Sequence, residues 1–249
     1  NMENKNIDEL RKLAEEGNAE AMYFYARKNY YGTETEQNYD IAFEWYNKAM
    51  KNGNLDAMYM TAFCLYKGRG IEQDYEKSYQ IFSELLDKDS SNDVFYMIAE
   101  CLYYGRGIEQ NYQKAFEICS ELLEKGYETA KYLYAECLYY GRGVDRDCEK
   151  AFGIFEDLVS KDKNDIESKY MIGISYLDGF GVEQDYNKSF EILNNLVKEY
   201  NDDDSKLCVA EMYMEGQGVE KNTEIALNYY KELAEKGYKE AKQKLEKFN

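Results

Sequence analysis

The chain has no proline and no histidine, a single tryptophan in 249 residues, and only 31 basic residues against 49 acidic ones. The missing histidine removes the usual general base near neutral pH and a principal zinc ligand, and with them most familiar catalytic constellations. A formal charge of −18 repels a phosphate backbone and an anionic lipid surface alike, so neither nucleic acid nor membrane is expected as a partner. No run of eighteen apolar residues exists to span a bilayer, and the opening NMENKNIDELRK is too polar for a secretory leader, with Met2 behind Asn1 reading as the natural start. The six cysteines follow neither CxxC spacing nor the paired pattern of a disulfide framework, which favours reduced thiols and a cytoplasmic protein. GxSxG, HExxH and the glycine-lysine phosphate loop are all missing. No enzyme, metal or cofactor is expected on these grounds.

What is present is length for a sizeable core, 44% hydrophobic and 32% charged residues, and 27 tyrosines. A sentence also recurs: CLYKGRGIEQDYEKSY from 64, CLYYGRGIEQNYQKAF from 101 and CLYYGRGVDRDCEKAF from 137. Aligning the first glycine of each turn gives Gly32, Gly68, Gly105, Gly141, Gly179 and Gly216, at intervals of 36, 37, 36, 38 and 37 residues. That period belongs to helical solenoids, whose units bury their apolar faces only by stacking on neighbours. A phosphate site is needed once, so six uses of one glycine turn point to architecture.

Each unit divides around its turn. Six residues before the glycine stands a small residue (Ala26, Ala62, Ala99, Ala135, Gly173, Ala210), and the flanking segment carries apolar residues at helical spacing. After the turn, Asp74, Asn111, Asp147, Asp185 and Asn222 sit where an N-cap acceptor is wanted before a second helix. Glycine supports the left-handed residue that ends the first helix, and the Ile or Val after the second glycine is expected to pack back on it.

These residues resemble the Sel-one-like repeats, relatives of tetratricopeptide repeats, whose units run A-x3-L-G-x2-Y-x2-G-x-G-V and then D-x2-KA. Residues 130–151, AKYLYAECLYYGRGVDRDCEKA, match that outline with Ala for the inner glycine and Leu for the tyrosine. The first unit, GTETEQNYDIAF, lacks the second glycine, which leaves the form of its turn open. The fold class expected is all-α, a right-handed α/α superhelical solenoid of six helix-turn-helix repeats with terminal capping helices. It forms one domain over 2–249: a cap at about 4–17, repeats at about 18–53, 54–90, 91–126, 127–163, 164–202 and 203–237, and a C-terminal cap at 238–249.

The resemblance implies a concave groove lined by the first helices. Nine residues before the glycines stand Tyr23, Tyr59, Tyr96, Tyr132, Tyr170 and Leu207; two before stand Tyr30, Tyr66, Tyr103, Tyr139, Leu177 and Met214; five before stand Arg27, Phe63, Glu100, Glu136, Ile174 and Glu211. The candidate partner-binding residues are Tyr59, Tyr66, Tyr96, Glu100, Tyr103, Tyr132, Glu136, Tyr139 and Tyr170. Rings beside carboxylates suit a partner offering Lys or Arg. A tyrosine stripe at this spacing also serves packing between repeats, and the sequence does not separate the two uses. Cys64, Cys101 and Cys137 share one repeat position and read as buried small side chains.

The function expected is a non-catalytic adaptor or scaffold that binds a protein or peptide. One alternative is an acidic inhibitor or immunity-type protein that neutralises a basic enzyme or toxin. A second is β-lactam binding or hydrolysis, linked to some members of the family, for which no histidine is present to activate a nucleophile. The bias to Lys, Asn, Ile, Tyr and Glu suggests an AT-rich bacterial genome.

Overall fold

The computed structural model describes residues 1–248, which form fourteen α-helices and two short 3-10 turns with no strand. The chain divides into two compact units, Asn1–Ala130 and one beginning at Lys131. The first unit contains α1 (Ile7–Glu15), α2 (Ala19–Tyr31), α3 (Tyr39–Lys51), α4 (Leu55–Lys67), α5 (Tyr75–Leu86), α6 (Asn92–Tyr104) and α7 (Tyr112–Glu124), with 3-10 turns at Met2–Asn4 and Glu128–Ala130. The second contains α8 (Lys131–Tyr140), α9 (Cys148–Lys161), α10 (Ile166–Asp178), α11 (Tyr186–Tyr200), α12 (Asp203–Glu215), α13 (Thr223–Glu235) and α14 (Lys239–Glu246). Within each unit the principal packing joins helices adjacent in the chain, the local arrangement of a solenoid.

The first glycine of each turn is left-handed, from φ 66° at Gly105 to 73° at Gly216. It ends the first helix, and the freed carbonyls then find partners. The carbonyl three residues before the glycine accepts the N–H of the next N-cap, as in Asp74 N to Leu65 O (2.9 Å) and Asp185 N to Tyr176 O (2.9 Å). The carbonyl two before it accepts a side-chain N–H from five residues beyond, from Gln37, Gln73, Gln110, Arg146 or Gln184 at 2.7–2.9 Å. These bonds satisfy groups that every helix C-terminus leaves orphaned. The predicted caps Asp74, Asn111, Asp147, Asp185 and Asn222 each accept the N–H three residues on, and Asn38 does the same in the first repeat.

The second glycine has a different role. A Cβ on Gly70 would lie 2.0 Å from Tyr39 O, and one on Gly107 would lie 2.1 Å from Tyr75 O. In the second unit Gly181 and Gly218 meet Cys148 O and Tyr186 O in the same way, each at 2.1 Å. Each of these four turns therefore presses on the start of the second helix in the repeat before it, where only glycine fits. The first repeat answers the open question about its turn. Gly32 keeps its left-handed φ of 69°, and Glu34 takes the second glycine's place at φ 64°. Its carboxylate accepts Ile7 N (3.1 Å) at the start of α1 and Lys28 Nζ (2.6 Å), so a side chain caps the helix that glycine elsewhere approaches.

The small residues six before the glycine are all fully buried, and Ser78 Oγ donates to Ala62 O at 2.7 Å across the α4–α5 contact. Close approach of the paired helices explains the restriction on size. The packing expected for the residue after the second glycine does not hold throughout, since Ile71 is 40% exposed.

Candidate binding surface on the first helices

The sequence reading placed nine residues on one surface, and the structure separates them. In the first unit Tyr59 on α4 and Tyr96 and Glu100 on α6 are half-buried. In the second, Tyr132 and Glu136 on α8 and Tyr170 on α10 are half-buried. Tyr66, Tyr103 and Tyr139, expected to line the groove, are instead core residues, at most 2% exposed. The reason is rotational: the ring two before the glycine turns inward against the start of the second helix. Tyr66 meets Tyr75, and Tyr103 meets Tyr112, each at 5.3 Å between centroids.

The position one residue further on faces out. Tyr31 is 60%, Tyr104 40% and Tyr140 41% exposed. Nine, five and one before the glycine are spaced by four, which is one ridge on a helix. That spacing is present in the sequence, and it groups Tyr104 and Tyr140 with the rings nine before the glycine.

The arginine between the glycines does more than fill the turn. Arg106 Nη1 donates to Tyr66 Oη at 2.7 Å, and Arg69 Nη1 donates to Tyr30 Oη, so each reaches back to the inward tyrosine of the preceding repeat. The Arg106 guanidinium also lies 4.6 Å from the Tyr104 ring, and that of Arg142 lies 4.4 Å from Tyr140. These cations are spent on holding rings.

In the first unit the Glu100 carboxylate, half-buried on α6, has no hydrogen-bond or ion-pair partner among the described residues. Burial pushes its pKa up from the ordinary carboxylate value, against the pull of Lys67 and Arg106. Tyr59 stacks on Phe63 (6.2 Å, 11°) and meets Phe82 edge-on (5.5 Å). Its phenol is pushed up by burial first, then by Asp93 and Glu100. Tyr96 lies against Tyr127 at 6.2 Å, and Tyr127 Oη donates to Asp93. In the second unit Tyr132 packs on Phe155 at 5.8 Å, and Tyr170 Oη lies 3.7 Å from Cys208 Sγ.

Two charged residues of the same row are satisfied by the ends of the chain. Arg27 Nη1 pairs with Glu3 at 3.1 Å, and Lys244 Nζ on α14 pairs with Glu211. Burial pushes the thiols of Cys64, Cys101 and Cys137 up to about 12, far from the thiolate a nucleophile needs. Among the described residues no group of three carboxylates or thiols is placed to hold a metal ion, and no helix is long and apolar enough to cross a membrane.

The Sel1 repeat description matches residues 19–54, 55–89, 96–127, 129–156, 166–194 and 206–238. The chain belongs to the Sel1 repeat family. Proteins built from Sel1 repeats generally mediate protein–protein interactions as scaffolds. Among solved structures, c5321, a protective antigen present in uropathogenic Escherichia coli strains with an SLR fold, aligns at TM-score 0.60 and 22% identity over 96% of this chain and 50% of that one. A Sel1 repeat protein from Oxalobacter formigenes aligns at TM-score 0.63 and 21% identity over 86% of this chain and 84% of that one. Yeast Tom70 aligns at TM-score 0.52 and 15% identity over 95% of this chain and 55% of that one. The chain thus spans half the length of c5321 and little more than half of Tom70, and these likenesses show the fold. No curated protein matches the sequence.

Proposed function

We propose that this Sel1 repeat chain is a non-catalytic scaffold that docks a protein or peptide segment against its first-helix faces. The observation that carries the reading is the row of aromatic and acidic side chains those helices leave at the surface. Tyr59, Tyr96 and Glu100 supply it in the first unit and Tyr132, Glu136 and Tyr170 in the second, beside the exposed rings of Tyr104 and Tyr140. Large rigid rings give contact area at low entropic cost, which is why Tyr concentrates in binding surfaces. The charge of −18 and the unpaired Glu100 favour a partner rich in Lys or Arg. The elevated thiol pKa values and the lack of histidine weigh against turnover.

Site-specific photo-crosslinking tests the face. A photoreactive phenylalanine at Tyr104 is expected to trap a discrete protein in lysate, while the same group at Gln80, exposed on α5, traps none. A product from Gln80 and none from Tyr104 would place docking on the second helices and refute the proposal.

A further inference from the structure

A pocket of about 220 Å³ opens in the first unit beside Tyr59. Its walls include Tyr23, Tyr59, Asp56, Asp89, Asp93 and the hydroxyl-bearing Ser91, and no basic residue. From this geometry we propose that the pocket receives the side chain of a single arginine from the docked segment. The inference rests on the scaffold reading and assigns the chemistry of one of its contact points.

Charge is the first argument. Among the described residues none of the three aspartates forms an ion pair, in a chain that pairs Arg27 and Glu211 of the neighbouring row with its own terminal segments. Asp56 and Asp93 lie in the first turns of α4 and α6, where the helix dipole stabilises a carboxylate without any partner. Asp89 does not share that explanation, because it lies in the connection between α5 and α6. The half-buried carboxylate of Glu100, seven residues after Asp93 on the same face of α6, adds to the same potential and acts on the same Tyr59 ring.

Shape is the second argument. The carboxylates line one pocket, yet among the described residues no three acids are gathered closely enough to hold a metal ion. Dispersed acceptors do not suit a compact cation. They suit a planar guanidinium, whose five N–H donors point outward in several directions. Asp93 accepts a hydrogen bond from Tyr127 Oη, and the aromatic side chains of Tyr23 and Tyr59 line the same pocket, where a guanidinium gains cation–π contact. Ser91 is the N-cap of α6 but makes no side-chain cap bond, so its hydroxyl remains an additional acceptor at the rim.

The test uses the full chain and four pools of N-acetylated nonapeptides with random flanks and a fixed central residue: arginine, lysine, citrulline or norleucine. Citrulline keeps the shape of arginine and removes the charge. The arginine pool is expected to bind at least about tenfold more tightly than the citrulline pool, as charged hydrogen bonds outweigh neutral ones. The double variant Asp89→Asn, Asp93→Asn should erase that preference, whereas Asp145→Asn, exposed in a second-unit turn, should leave it intact. Asn retains an acceptor for Tyr127, and an unchanged helical melt of the double variant shows that folding is preserved. Equal binding of the arginine and citrulline pools, or of the arginine and lysine pools, overturns the arginine pocket while the scaffold reading stands. Failure of every pool to bind also overturns it, and docking on the first helices is then judged by the Tyr104 crosslink alone.

Discussion

At the residue scale, one position of the helical wheel decides whether a tyrosine is core or surface. Tyr103 and Tyr104 are neighbours in sequence, yet one is 1% and the other 40% exposed. The period and the small, capped and glycine positions were legible because they repeat. The inward turn of Tyr66, Tyr103 and Tyr139 was not, since rings two and one before the glycine look alike in sequence and differ by about 100° around the helix. Glu100 gives this scale a prediction with opposite signs for stability and binding. Its folded pKa is raised by burial, so the protonated form suits the fold, and that stabilisation is lost as pH rises through the folded pKa. Glu100→Gln should therefore melt at or above the parent temperature at pH 7, and the gap should close as pH falls below about 4. The same variant should weaken a basic partner. A lower melting temperature at pH 7 with unchanged affinity would make Glu100 a structural residue.

At the scale of the element, the glycines divide by mechanism. Gly70 combines a left-handed φ of 73° with a Cβ position 2.0 Å from Tyr39 O, whereas Gly126 has φ 78° and nothing within 4 Å. Gly126→Ala should cost about 1 kcal/mol from backbone strain alone. Gly70→Ala should cost about 3 kcal/mol, because the turn must also lift from the preceding repeat. Denaturant unfolding of both variants checks the ordering, and equal losses would deny the close approach. The sequence offered no view of this difference. The contact pairs residues about thirty apart, and only the stacked repeat shows that the second glycine touches a backbone. Glu34 is the informative exception: in the first repeat that place is taken by a residue whose carboxylate caps α1.

At the scale of the whole molecule, the family and the all-helical repeat fold were legible because six units say the same thing with variations. The Asp-lined pocket was not, since Tyr23, Tyr59 and Asp93 lie on the first helices of three successive repeats and meet only when these stack. Nearest-neighbour packing makes the array modular. Deleting residues 68–104, which joins Lys67 to a glycine in identical register, should leave a soluble helical protein of lower stability. Loss of cooperative unfolding in that deletion would show that distant contacts matter more than the packing of adjacent helices.

The central claim is that the first helices carry the docking face, and the dissociation constant of the crosslinked partner tests it most directly. Tyr96→Ala and Tyr132→Ala should each weaken binding by about 1–3 kcal/mol, the loss expected of an aromatic anchor. Glu136→Gln should mainly slow association and flatten its salt dependence. Gln80→Ala and Gln113→Ala, exposed on the second helices, should leave the constant unchanged. Parent-like affinity in both tyrosine variants, with affinity lost in the glutamine variants, would contradict the account.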